Sequence, residues 1–363
     1  MKKVFAIIIC LLLVGLIVFF VYGEQEPARQ QSVENAESAG MTKSIVDMAG
    51  RTVTIPQNIE SFGYCYFGST LDFVALGVGH KITVKPATLS ADAPLLRELE
   101  RWGYPELLNA APALLSQTVN SEELLKAKPQ VVFLDKDNIK GIRQVEALGI
   151  PVVGVKFPGG DSGIAGCVQY MCWLGDLFGG TAPQKAAAYK TFVDNSLKTL
   201  QTGTAAVPKD RTPKVLAISY WSGAYFGVFG TMMTESITAA GGDNVLAGQG
   251  NQPINREQIL AWNPDVILLQ TENQANFDKF LNADGIKDLT AVKNGKVYQF
   301  WYSHGGSIET ILLADYIATK LYPDRFSPEF LRDQISLFHQ IMYGITLPDE
   351  AADLYYTWYS FSH

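Results

Sequence analysis

The sequence predicts an α/β fold of two similar lobes joined by one long helix, and three observations carry that expectation. Short apolar runs alternate with amphipathic segments of helical length through most of the chain, the pattern of a mostly parallel sheet covered by helices. A helix–strand unit occurs twice, as SEELLKAKPQVVFLD (121–135) and REQILAWNPDVILLQ (256–270). Pro129 and Pro264 stand 135 residues apart, and that offset also aligns Asn120 with Asn255, Glu122 with Glu257, Glu123 with Gln258, Leu125 with Leu260 and Val131 with Val266. Between the two copies lies TAPQKAAAYKTFVDNSLKTLQT (181–202), with Tyr189, Phe192, Val193, Ser196, Leu197 and Leu200 on one helical face. Thr181 and Gln184 have capping-box spacing, Pro183 fits the first turn and Gly203 reads as a stop. Such a helix would run about 31 Å, enough to brace one lobe against another.

Composition sets the outer bounds. At 363 residues and 47% apolar content, the chain can bury one large core or two moderate ones. A net charge of −7, with no basic run interleaved with aromatics, argues against nucleic acid as a partner. Four cysteines are too few for a disulfide scaffold, and Cys167 and Cys172 fall on different faces of a helix, so free thiols are expected. Lys2 and Lys3 precede an apolar run from Val4 to Tyr22. Residues 1–23 therefore read as a signal peptide or a membrane anchor, the run lying between the usual signal core and a full span. Either way the remainder is exported, to the periplasm or the outer face of the cytoplasmic membrane, and it touches the membrane through this segment if the leader stays uncleaved. Residues 24–43 lack aromatics and read as a flexible tether.

The first lobe is expected over 44–180, the linker helix over 181–203 and the second lobe, with terminal helices, over 204–363. Val46–Pro56 reads as a hairpin with a Gly-Arg turn, and Ile59–Tyr64 as a strand. TLDFVALG reads as a helix, Lys81–Val84 as a strand, and Leu95–Leu108 as one or two helices. After the first repeat copy come a strand ending at Val155 and a helix over Gly163–Phe178. The second lobe reads as a strand at Lys214–Ser219, a loop YWSGAYFGVFGT and a helix stopped by Gly241-Gly242. The second repeat copy, a strand at Gly295–Trp301, and helices at Ile308–Leu321 and Pro328–Tyr343 follow.

Parallel α/β sheets gather ligands at the carboxyl ends of their strands. Those ends carry Tyr64, Cys65, Tyr66, Phe67 and Lys85 in the first lobe, and Trp221, Tyr225, Phe226, Trp301, Tyr302 and His304 in the second. Aromatic density in Gly-rich loops suits a flat or greasy ligand held by stacking and phenol hydrogen bonds. His304 could complete a chelated metal's coordination, and Cys65 or a tyrosine facing it would resemble a haem axial pair. Four histidines without ligand spacing do not make a bare-ion site. Glu122 and Glu257 each fall near a helix start, where a carboxylate meets free N–H groups and the favourable end of the dipole.

The strings VDMAGRTVTIPQNIESF, the helix ending in ALG, the two repeat units, AGGDNV and VKNGKVYQF occur in this order over residues 46–322. Together they resemble the extracytoplasmic binding proteins of ABC importers for ferric siderophores, haem and cobalamin, the single-linker-helix type. The resemblance implies two Rossmann-like lobes with a ligand cleft between them, no catalysis and no resident cofactor. It implies a monomer that captures a metal chelate, a ferric siderophore first and haem or a corrinoid as alternatives. It also implies that Glu122 and Glu257 dock on an ABC permease dimer served by ATPase subunits. Many members have glutamate where Leu71 stands here, with Asp72 beside it, and the cleft loops lack the arginines that grip carboxylate-rich ligands.

Other readings have less behind them. Gly160-Asp161-Ser162-Gly163 spells the surroundings of a trypsin-type serine, but upstream only His80 is available and a helix follows at once, so Asp161 or Ser162 reads as a cap. No GxxxxGK[ST] and no GxSxG occurs. An anchored extracytoplasmic sensor and a secreted hydrolase remain the rival classes.

Overall fold

The computed structural model describes residues 41–89, 104–114, 118–158, 162–221, 223–228, 230–249, 252–271, 273–300, 308–353 and 355. It opens on an antiparallel hairpin, β1 (Thr42–Val46) and β2 (Thr52–Pro56). The hairpin begins further upstream than its sequence suggested, because Asp47–Arg51 is all turn. Asp47 Oδ1 accepts from the amides of Ala49 and Arg51 (3.0 and 2.9 Å), the local bonding that favours Asp in turns. Its Oδ2 accepts from Gly154 N (2.9 Å) and pairs with Arg51, which also reaches Glu146, so the hairpin is stapled to the first lobe. Burial alone would raise the Asp47 carboxyl, but these donors hold it below its ordinary value.

The first lobe comprises β3 (Phe62–Tyr64), α1 (Thr70–Ala75), β4 (Ile82–Pro86), β5 (Ala111–Leu114), α2 (Ser121–Ala127), β6 (Val131–Asp135), α3 (Ile139–Glu146) and β7 (Val152–Val155). Its sheet has the order β5-β4-β3-β6-β7 and is wholly parallel. Strand β5 has no sequence signal, being four residues long with Pro112 inside it. Helices α4 (Gly163–Phe178) and α5 (Ala182–Thr204) follow. The second sheet holds β8 (Lys214–Trp221), β9 (Ala224–Gly227), β10 (Asp243–Asn244), β11 (Pro253–Ile254), β12 (Val266–Thr271) and β13 (Val297–Gln299), in the order β11-β9-β8-β12-β13 with β10 beside β8. Strands β8, β12 and β13 are parallel, while β9 runs antiparallel to β8. Besides the one-turn helix Thr290–Lys293, the lobe's helices are α6 (Gly230–Ala239), α7 (Arg256–Trp262), α8 (Gln274–Leu281) and α9 (Thr310–Leu321), and the chain continues into α10 (Pro328–Tyr343) and α11 (Asp349–Asp353).

Two separate sheets on either side of α5 agree with the predicted class. At 23 residues α5 spans about 34 Å. Two details of its ends differ from expectation. Thr181 makes no side-chain cap; the Gln184 amide, turned to satisfy both its atoms, donates back to the carbonyls of Gly180 and Thr181 (3.0 Å each). The helix also runs through Gly203, because the Phe326 ring lies where a β-carbon would sit and Arg325 Nη1 donates to the Gly203 carbonyl (2.6 Å). Tertiary packing there outweighs a weak local preference.

The expected apolar face of α5 is buried, with Leu197 only partly covered. Tyr189 Oη donates to Ile308 O (3.0 Å) and Ser196 Oγ to Asp315 Oδ1 (2.7 Å), fastening the helix to α9. One hydrophobic cluster runs from the first sheet through α4, α5, α6, α9 and α10 to Val215, Ala217, Val266 and Leu268 of the second sheet. The alternate residues Leu216, Ile218, Ile267 and Leu269 face a smaller outer cluster, so this sheet is buried on both faces. Helix α10 joins the arrangement through Phe338, edge-on to Phe192 of α5 (5.4 Å).

Asp315 is fully buried, and burial pushes its carboxyl up to about 7 against the Ser196 bond that opposes it. The unfolded chain ionises this group near 3.8, so folding takes up a proton between that value and 7, and stability falls as pH rises through that window. Asp315→Asn, which keeps the acceptor for Ser196, is expected to raise the melting temperature at pH 8, with the gain vanishing near pH 4. Thermal melts of both proteins at the two pH values check this.

Candidate ligand cleft

In the first sheet the strand order reverses between β3 and β6, and in the second between β8 and β12. Crevices outside the carboxyl ends of such strands are where an open α/β sheet receives ligands. After β3 the chain turns through a short 3-10 segment, Phe67–Ser69, into α1. Tyr66 stacks on Phe157 from the loop after β7 (5.5 Å between centroids, 27°), and Tyr170 of α4 meets Phe157 edge-on (6.4 Å). The Tyr170 hydroxyl donates to Ser69 Oγ (3.3 Å). Three elements thus build one aromatic wall, of which Tyr66 is the half-buried member. Lys156 and Phe157 form one of the strand-end loops expected from sequence, though Phe157 is not among the predicted ligand residues, and Tyr170 has no local signal inside its helix.

The structure corrects three first-lobe expectations. Tyr64 is fully buried among Phe62 and Phe73, with its hydroxyl bonded to Thr70 Oγ1 (2.6 Å), and burial raises its pKa far above the phenol range. Cys65 is 5% exposed, and burial pushes its thiol up to about 12. Lys85 belongs to β4 and is 2% exposed; its amine donates to the carbonyls of Leu107 and Leu108 (2.9 and 3.0 Å), and burial lowers its pKa. In buried parallel strands both faces are covered, so a tyrosine or lysine near a strand end can point into the core. Phe67 has its backbone in the turn, and its side chain lies outside the described residues.

In the second lobe the expected loop YWSGAYF is a tight hairpin, β8 to β9, reversing at Gly223 with φ +88. Trp221 and Tyr225 are half-buried and Phe226 is exposed. Tyr225 stacks on buried Tyr220 (5.1 Å, 28°) and meets Phe280 edge-on (6.0 Å), which holds the hairpin against α8. Trp301, Tyr302 and His304 lie outside the described residues. Among the described residues no group of three or more His, Cys, Asp or Glu is arranged to hold a metal ion. Cys65, Cys167 and Cys172 form no disulfide, Ser162 stands at the start of α4, and His80 is exposed in a turn of the first lobe.

The two repeat copies fold alike. Asn120 Oδ1 accepts from Glu123 N (3.3 Å), and Asn255 Oδ1 from Gln258 N (2.8 Å), where the Gln258 side chain returns the bond in a full capping box. Lys128 (φ 48) and Asn263 (φ 39) close the helices in left-handed conformation, the two non-glycine residues of positive φ among those described. Glu122 and Glu257 are the second residue of each helix and project into solvent, with side-chain exposures of 79% and 73%. Glu122 pairs with Lys126 (2.9 Å) and Glu257 loosely with Arg256 (3.7 Å), exposed contacts of little energetic weight. A helix packed antiparallel to the strand it precedes starts at the carboxyl edge of its sheet, so each glutamate shares an edge with its lobe's aromatic residues.

Two α/β lobes, a buried linker helix and aromatic strand ends on both sheets define a two-lobed binding protein. A family model described as periplasmic binding protein matches residues 65–300, and the chain belongs to that extracytoplasmic family. It is 27% identical over 354 residues to the molybdate-binding protein MolA of Haemophilus influenzae, covering 87% of this chain and 95% of MolA. The solved structure of MolA bound to molybdate superposes with a TM-score of 0.67 at 24% identity, over 84% of this chain and 99% of MolA. A periplasmic solute-binding protein from Veillonella parvula (TM-score 0.68, 22% identity, 85% and 95% covered) shares the fold. So does Helicobacter pylori CeuE with Ni(II) bound (0.65, 15%, 86% and 99%). Among the described residues no helix is long and apolar enough to cross a membrane, and the apolar leader lies outside them.

The position of Lys85 has a measurable consequence. Lys85→Met keeps the apolar stem and strips two carbonyls of their donor, so unfolding in urea is expected to show a loss of about 1–3 kcal/mol.

Proposed function

We propose that this chain is the substrate-binding subunit of an ABC importer, holding a metal-containing ligand between its lobes and handing it to a membrane permease. The observation behind this reading is that aromatic residues stand at the carboxyl ends of the switch-point strands in both sheets. Tyr66 and Phe157 stand at one edge, and Trp221, Tyr225 and Phe226 at the other. Exposed Lys156 is a cation beside the first. Such walls stack on the flat or apolar shell of a chelate, and a ferric siderophore is the first candidate, with haem and corrinoids as alternatives. Trp301, Tyr302 and His304 would add to the second wall, His304 as a donor to the ligand or its metal. No bond is made or broken in this role.

A second ligand reading follows from the likeness to MolA, which spans nearly all of that molybdate-binding protein. In it the cleft takes a compact metal oxyanion. Native mass spectrometry of protein purified from its own cell envelope, followed by calorimetric titration with molybdate, a ferric siderophore, haem and cobalamin, separates the two. An iron-chelate mass with tight rebinding supports the first reading. Tight molybdate binding with no chelate captured replaces it with the second, and failure of every one of these ligands to bind removes both.

For docking, we propose that Glu122 and Glu257 each meet a basic pocket on one half of a permease dimer. Asparagine caps and equal positions on the two helices give a two-fold partner two equivalent points to read. Glu122→Ala combined with Glu257→Ala is expected to leave ligand binding unchanged and to abolish uptake in cells. Uptake at the wild-type rate would eliminate this role.

A further inference from the structure

The GDSG string, set aside as a helix start, acquires a role from what sits on it. Helix α4 begins at Gly163 with φ +61, and Ser162 places no side-chain cap on it. The first turn is capped from elsewhere: Ile164 N donates to Glu235 Oε2 (2.7 Å), and Glu235 lies on α6 of the second lobe. A β-carbon at Gly163 would overlap the Glu235 carboxylate, so glycine is required both by the backbone and by this seat. A carboxylate on the N-terminus of a 16-residue helix is favoured by the helix dipole and by its charge-assisted bond.

The contact has support around it. Thr310, in the first turn of α9, lies against Cys167 of α4 (Sγ to Oγ1 3.7 Å) and Met232 of α6 (3.3 Å), while Ser236 Oγ donates to Thr310 O (3.5 Å). On the outer side is a hollow of about 540 Å³ lined by Ile164, Val168, Val193, Leu197, Glu235 and Ala239. It receives none of the aromatic cleft residues, and it separates α4 from α6 there, so the Glu235 seat bridges the two helices beside a gap in their packing. Chain connectivity gives the contact its meaning. Helix α4 is the element that follows Lys156 and Phe157, and α6 is the one that follows the Trp221–Phe226 hairpin.

We propose that Glu235 is an interlobe latch, a positioning residue whose seat on α4 sets the two aromatic edges relative to one another. With the latch made, the cleft walls keep a fixed spacing before ligand arrives; with it broken, α6 is released from the start of α4 and that spacing is no longer fixed. The inference is independent of which ligand is carried and of permease docking, so its test uses neither.

The test is hydrogen exchange by mass spectrometry on the full ligand-free chain, for wild type, Glu235→Ala, Glu235→Gln and Gly163→Ala. Glu235→Ala is expected to speed exchange by about tenfold in the first turn of α4 and also in the Trp221–Phe226 hairpin, which the residue does not touch. Glu235→Gln, which retains a neutral acceptor, is expected to recover most of the protection. Gly163→Ala, which evicts an intact Glu235, is expected to reproduce the change in both segments. If Glu235→Ala does not fold, Gly163→Ala and Glu235→Gln carry the test. Faster exchange confined to the first turn of α4, with the hairpin unmoved in every folded variant, makes Glu235 a simple helix cap and overturns the latch.

Discussion

Two buried hydrogen bonds, Tyr189 to the Ile308 carbonyl and Ser196 to Asp315, fix the long helix α5 against α9. That attachment ties the linker helix to the second lobe. The helix cannot slide without leaving a buried carboxyl and a buried carbonyl unpaired, and each such loss is expensive. Around it the apolar cluster is continuous from the first sheet to the inner face of the second. Close-packed interiors resist shear, so a lobe movement that preserves this cluster is a small rotation about the helical layer. The proposed recognition surfaces sit at the far ends of the strands, where a small rotation becomes the largest displacement.

Those ends are alike in principle and different in construction. The first wall is assembled from three places in the chain, with Phe157 held between Tyr66 and Tyr170. The second is one hairpin, folded back at Gly223 and backed by Tyr220 and Phe280. A composite wall shifts when any contributor shifts, whereas a hairpin moves as one piece. The joint between α4 and α6 ties the helix that carries Tyr170 to the helix that follows the hairpin.

Much of this was legible in the sequence, for identifiable reasons. The repeat units were readable because cap, helix, stop, proline and strand all lie within one short stretch, 120–135 and 255–271, and act locally. The spans of α4 and α10 agree with their predicted limits, Gly163–Phe178 and Pro328–Tyr343, since helical periodicity is a strong signal. Side-chain direction at strand ends was not readable. Tyr64 and Lys85 look like loop residues, but a strand buried on both faces has no alternation to say which way they point. Gly203 reads as a stop until Phe326, over a hundred residues away, is seen resting on it. Glu235 was invisible because its partner is a backbone amide on another helix, and an amide has no sequence identity.

The left-handed residues that end α2 and α7 show how the two copies have diverged. Lys128 and Asn263 hold the same backbone shape before the same proline. Lys128 adds only that shape, and glycine would adopt it with less strain. Asn263 also accepts the amide of Thr290 on Oδ1 (3.0 Å), tying down the segment that leads toward β13. One backbone device thus serves only as a helix terminator in one half of the molecule and doubles as a tether in the other.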